Sequence, residues 1–176
     1  MSKQTKVVNL FAGPGSGKST LAAMVFSKLK ILGKDCELIT EFAKKLTWHK
    51  RFNSLACQPY VFGKQLHEIY NVYGQVDYII TDSPILLSAM YTSDRWPKSF
   101  IQSILDIFSS FNNVNFFIKR AKKYNPNGRN QTEDEARKID DKLMDYLLNN
   151  HIEFDILPGV EESANEIVRR LNNGQY

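Results

Sequence analysis

The segment Ala12-Gly-Pro-Gly-Ser-Gly-Lys-Ser-Thr20 sets three glycines, a lysine and three hydroxyl side chains at a spacing that suits one kind of chemistry. Gly13, Gly15 and Gly17 let the backbone curl so that successive amide N–H groups converge on an anion. A helix opening at Lys18 would add the positive end of its dipole at the same place. Lys18 then reaches the β and γ phosphates of a nucleotide, and the Ser19 hydroxyl is placed to ligate Mg²⁺. The pattern is a Walker A sequence with Ala12 in place of its first glycine. Gly13, Pro14, Gly15, Ser16, Gly17, Lys18, Ser19 and Thr20 are the expected nucleotide-binding residues, and ATP and Mg²⁺ the expected cofactors. The plainer reading is a glycine-rich turn that merely joins a strand to a helix. Context weighs against it, because the segment follows an apolar run and opens a helical pattern.

Two carboxylates follow at places where phosphate chemistry needs them. Asp82 ends the run Tyr78-Ile-Ile-Thr81 and is the expected partner of Mg²⁺ and its waters, alongside Ser19. It could instead cap a helix near Pro84, and one Asp can do both. Glu41 follows Leu38-Ile-Thr40, where a carboxylate can face the γ phosphate and accept the proton of an attacking hydroxyl. The competing role is a solvated Glu favoured by the dipole at a helix start. Lys119 to Gln131, KRAKKYNPNGRNQ, is basic and rich in Asn, Pro and Gly, and loops of that length are usually functional or mobile.

These residues need a scaffold, and the apolar pattern supplies one. Strands are expected at Lys6–Ala12, Cys36–Thr40, Val76–Thr81, Val114–Ile118 and Ile152–Ile156. Between them lie helical patterns at Lys18–Leu32, Pro59–Tyr73, Trp96–Phe111 and Thr132–Asn150, with a last helix at Glu161–Leu171. Thr132 and Glu135 have capping-box spacing. Strands alternating with helices imply a parallel sheet covered on both faces by right-handed crossovers. The expected fold is an α/β three-layer P-loop NTPase fold with a five-stranded parallel sheet and a short basic lid. Residues 1–176 would form one domain, the lid covering about 119–135.

Composition supports a globular chain and excludes several classes. The 176 residues are 43% hydrophobic and 24% charged, which is globular rather than disordered or fibrous. The net charge of +4 permits an anionic partner without naming one. Cys36 and Cys57 form no CxxC or Cys/His cluster, so neither structural zinc nor a disulfide framework is expected. The run Val7–Ala12 is broken by Asn9 and is too short for an export signal or a spanning helix. A soluble, cytoplasmic protein with no membrane partner is expected. A GTPase should show DxxG after the third strand and an NKxD reader. Here Asp82 is followed by Ser83, Pro84 and Ile85, and no NKxD occurs.

On the segments GPGSGKST, TEFAKKL, FGKQ, TDSP and GRNQTEDEA, the chain resembles the small P-loop kinases of the nucleoside and nucleotide kinase group. It looks closest to the NadR-like AAA-domain proteins that phages often encode, which are similar to nicotinamide riboside kinases. The resemblance implies that Glu41 is the general base and that Trp48 is part of the acceptor pocket, with Phe42 where the family carries Pro. It implies that Gln65 reads the acceptor base, with Gln58 a competitor, and that Tyr60 and Phe62 could add an aromatic wall. It implies lid arginines that close over the phosphates, at Arg120 and Arg129, supported by Lys119, Lys122 and Lys123. Pro158, Gly159 and Val160 would hold adenine through the main chain.

The expected activity is in-line transfer of the ATP γ-phosphoryl group to a nucleoside or nucleoside monophosphate, with a deoxynucleotide-type acceptor favoured. Lys18, Glu41, Asp82, Arg120 and Arg129 are its expected catalytic residues, and Glu41, Trp48, Tyr60 and Gln65 its acceptor residues. A hydroxyl acceptor needs the base at Glu41, whereas a phosphate acceptor needs extra cations, for which Lys44, Lys45, Lys50, Arg51 and Arg95 are available. Alternatives from other classes are a polynucleotide or modified-base DNA kinase and a non-catalytic ATP-binding switch. Nucleic acid is a less favoured partner, and a homodimer is left open.

Overall fold

The computed structural model describes residues 3–121, 124–125 and 132–175. Five strands, β1 (Lys6–Phe11), β2 (Cys36–Ile39), β3 (Tyr78–Thr81), β4 (Asn112–Lys119) and β5 (Asp155–Pro158), form one sheet in the order β2-β3-β1-β4-β5. Every pairing is parallel, with Val8 opposite Ile80 and Val114, Ile39 opposite Thr81, and Phe117 opposite Ile156. The central strand is buried along almost its whole length, as a strand covered on both faces must be.

One face of the sheet is covered by α1 (Lys18–Ile31) and α8 (Glu161–Asn172), which bury Leu21, Val25, Leu29, Ile167 and Leu171 against Val8, Leu10, Ile80 and Phe116. On the other face α4 (Gln58–Tyr70), α6 (Lys98–Ser109) and α7 (Glu133–Asn149) bury Ile69, Ile104, Phe108, Leu143 and Leu147 against Val7, Phe11, Ile79 and Phe117. Alternate residues of β1 therefore serve opposite faces. The capping box expected at α7 is formed: the Thr132 hydroxyl accepts from the Glu135 amide at 3.3 Å and the Glu135 carboxylate accepts from the Thr132 amide at 2.7 Å. Such a cap contributes about 1 kcal/mol and sets where the helix begins.

The structure departs from the sequence reading in two ways. β5 begins three residues later than expected and ends two later, because Ile152 and Phe154 pack against the second core from an extended approach and only Asp155 onward pairs with β4. Three short helices were not among the expected elements: α2 (Phe42–Trp48), α3 (Phe52–Leu55) and α5 (Leu87–Tyr91). None is long enough to show a helical period. Cys36 is buried and Cys57 half-buried, and both are free thiols. Among the described residues no helix is long and apolar enough to cross a membrane.

Candidate active site

All strands of a parallel sheet end on the same edge, so residues just beyond them share one crevice. Here each strand ends in a chemically distinct group: the glycine-rich loop after β1, Glu41 after β2, Asp82 after β3, Arg120 after β4 and Gly159 after β5. The loop lies where the chain changes direction across the sheet, since β1 is flanked by β3 on one side and β4 on the other.

Gly15 and Gly17 adopt φ values of 78° and 103°, a left-handed conformation that strains any residue with a Cβ. Gly17 is the N-cap of α1, and its carbonyl accepts from the Leu21 amide at 3.0 Å. Two other glycines are required by close approach. A Cβ on Gly13 would lie 2.7 Å from the Ala136 carbonyl oxygen, and one on Gly159 would lie 2.5 Å from the Ser16 carbonyl oxygen. The phosphate loop is thus wedged between α7 and the β5–α8 turn.

Lys18 folds back over this loop, donating from Nζ to the carbonyls of Ala12 at 2.7 Å and Gly13 at 2.9 Å. Burial pulls its pKa below the ordinary lysine value, the nearby charges of Glu41, Asp82 and Asp140 oppose that, and Arg120 adds to it. Those four groups therefore converge electrostatically on one ammonium. Asp82 is 3% exposed, and among the described residues its Oδ1 has no hydrogen-bond partner; Ser16 Oγ and Arg120 Nη1 are likewise buried without partners there. Buried polar atoms are nearly always satisfied, so the three orphans on and around the glycine-rich loop are atoms that a polar ligand would satisfy; Trp96 Nε1 and Tyr146 Oη are also without partners among the described residues. Oxygen donors from Asp82 and from Ser19, at the start of α1, suit a hard cation such as Mg²⁺.

Glu41 sits at the N-cap of α2 in extended conformation. Its turn is held by Gln65, which is 3% exposed. The Gln65 Oε1 accepts from the Phe42 amide at 3.1 Å, and its Nε2 donates to the Thr40 carbonyl at 3.4 Å. The carboxamide expected to read a base is therefore committed to the main chain on both sides of Glu41. Gln58 is engaged too, donating to the Leu55 carbonyl at 3.1 Å. Tyr60 packs its ring edge-on against Phe42 at 5.6 Å, while Trp48 at the end of α2 is 62% exposed. Phe62 is a core residue.

Two residues at this site were missed in the sequence. Tyr91 on α5 is 43% exposed as a residue, yet burial of its hydroxyl and then the charges of Glu41 and Asp140 push that hydroxyl's pKa up to about 12. Nothing in its local sequence marks it. Asp140 contacts the phosphate loop itself and did leave a signal, an acid on the apolar stripe of α7 between Ala136 and Leu143. Arg120 lies where the lid was expected to begin. Arg129, Lys122 and Lys123 fall outside the described residues.

No known family model matches the chain, and no curated protein sequence matches it. Among solved structures it is similar to deoxyadenosine kinase from M.mycoides with bound dATP, with 15% identity and a TM-score of 0.55 over 95% of this chain and 99% of that one. Identity that low speaks to architecture alone. The protein has the α/β fold of a P-loop kinase, a five-stranded parallel sheet with helices on both faces.

Proposed function

We propose that this protein is an ATP-dependent small-molecule kinase that transfers the γ-phosphoryl group to a nucleoside or nucleoside monophosphate, of deoxynucleotide type. The observation that carries this reading is the set of buried atoms at the loop without partners among the described residues, Ser16 Oγ, Asp82 Oδ1 and Arg120 Nη1, beside the half-buried Lys18. The glycine loop and α1 bind the triphosphate tail. Lys18 exchanges its two loop carbonyls for phosphate oxygens, and Arg120 and Arg129 stabilise the charge that spreads over the transferring group. Mg²⁺, were it bound, would supply neutralising charge to the phosphates, and Ser19 and Asp82 are the residues that would hold it. Glu41, fixed by Gln65, accepts the proton of an attacking hydroxyl. Trp48 and Tyr60 border the acceptor, and the Tyr91 hydroxyl, its pKa raised, stays protonated at neutral pH. The likeness of fold to a deoxynucleoside kinase supports a nucleoside-type acceptor. Incubation with Mg-ATP and a panel of nucleosides and monophosphates, followed by chromatography of the products, tests it. Transfer to one class of acceptor is expected, and ATP binding with no transfer to any of them would leave the non-catalytic switch.

One observation favours a second reading, a polynucleotide 5′ end as acceptor. No acidic residue occurs between Glu41 and Glu68, while Lys44, Lys45, Lys50, Arg51 and Lys64 do, all exposed. Trp48 and Phe52 are exposed among them, with Lys64 over the Tyr60 ring at 6.0 Å. Cations beside stacking surfaces are what a single strand needs. Transfer to a 5′-hydroxyl oligonucleotide that weakens steeply with salt would select this reading.

A further inference from the structure

Asp140 stands where α7 should be apolar. Ala136, Leu143 and Leu147 lie four residues before it and three and seven after it, on one helix face, and all are fully buried. A carboxylate in that row is costly unless partnered. Both of its partners belong to the candidate site: Oδ1 accepts from the Gly13 amide at 2.5 Å and Oδ2 accepts from Arg120 Nε at 2.6 Å. The Arg120 side chain is 7% exposed and that of Asp140 17%. Arg120 also donates from Nη2 to the Ala136 carbonyl at 3.3 Å, so two of its nitrogens are fixed by α7. The third, Nη1, is buried and has no partner among the described residues.

We propose that Asp140 is a positioning residue for nucleotide binding: it locks the Arg120 guanidinium and the first amide of the phosphate loop to α7, leaving Nη1 as a preset donor for a phosphate oxygen. This rests on the reading above that Arg120 meets the phosphates. Stability alone does not account for the pair, because a buried ion pair roughly breaks even against apolar side chains of similar volume. A pair held that way instead gives a donor that loses little rotamer freedom when the ligand arrives. The acid type is also required. Asp140 accepts two N–H bonds at once, whereas Asn would turn one of those oxygens into a donor facing another donor.

The test is a double-mutant cycle read by affinity for Mg-ATP, by calorimetry, and by thermal midpoint, on Asp140→Asn, Asp140→Ala, Arg120→Ala and the double Asp140→Ala/Arg120→Ala variant. Loss of one charge-assisted donor weakens binding by about ten- to a hundredfold. Asp140→Asn and Arg120→Ala are each expected to lose that much, and the double variant no more than Arg120→Ala. Thermal stability supplies the contrast. Asp140→Ala strands a buried cation, and the double variant removes it, so the midpoint should recover in the double variant while ATP affinity does not. Affinity that recovers together with stability overturns the proposal and makes the pair structural. Wild-type affinity in Asp140→Asn also overturns it, with the kinase reading intact. If the unmutated protein binds no ATP, the kinase reading falls and this proposal with it.

Discussion

At the phosphate loop three segments meet at main-chain contact distance. Gly13 lies against α7, and Gly159 lies against Ser16 so closely that neither position has room for a methyl group. On the opposite flank of the cleft, short helices α2 and α3 leave Trp48, Phe52 and a run of cations facing solvent. On the reading proposed above, the first region would meet what every nucleoside triphosphate shares, a chain of phosphates, with amides and fixed charges. Amides cannot move without the backbone, so this region is interlocked. The second, where that reading puts the acceptor, presents exposed side chains with few burial constraints. The difference sets a closely packed loop region against an open, solvent-facing one, as a common phosphate donor and a selective acceptor pocket would require.

The contrast can be broken most sharply at Glu41. If Glu41 is the base, Glu41→Gln lowers transfer to a hydroxyl acceptor by about 10²–10⁴-fold while leaving ATP affinity unchanged. Transfer to a phosphate acceptor, which needs no strong base, would be nearly spared, and steady-state rates with both acceptor types decide. On the donor side, Lys18→Met should reduce transfer by about 10²–10³-fold, and here ATP binding weakens too, as equilibrium titration would show.

Gly159→Ala tests the interlock without touching a charged group. Its Cβ would lie 2.5 Å from the Ser16 carbonyl oxygen, so the loop or β5 must shift. Overpacking of this kind costs about 1–3 kcal/mol, readable as a lower midpoint in urea, with a matching loss of ATP affinity. The smallest effect is expected at Tyr91. Its hydroxyl pKa is raised by burial first and then by Glu41 and Asp140, to about 12. A folded-state value above the unfolded one, about 10, means the unfolded chain releases the proton first. The associated stability is full below pH 10 and is lost as pH rises toward 12. Tyr91→Phe should flatten that part of an alkaline stability profile, measured by unfolding at stepped pH.

Much of this was legible along the chain. The alternation of apolar runs and helical stripes shows five strands and the long helices, because each long element carries its period in its own residues. Thr132 and Glu135 announce the start of α7 through a local bond pattern. β5 is the instructive miss. Ile152 and Phe154 alternate like strand residues, yet they are anchored in the second core before the ladder begins at Asp155. Alternation reports burial on one side, which a strand and an extended approach to it share. Gln65 shows the same limit at the site. Its place on α4 suggested a base reader, but a carboxamide bonds whatever donor and acceptor pair lies nearest, and that is the Glu41 turn.

Local order along the chain determined the glycine loop, its lysine, the carboxylates at two strand ends and the helix that carries Asp140, since each depends on residues within a few positions of one another. Only the folded sheet decided that Asp140 meets Gly13 and Arg120, that Gly159 leans on Ser16, and that the charges of Glu41 and Asp140 reach the Tyr91 hydroxyl. Those contacts join residues far apart in sequence. They follow from the order in which parallel strands assemble, which brings every strand's end to the same edge.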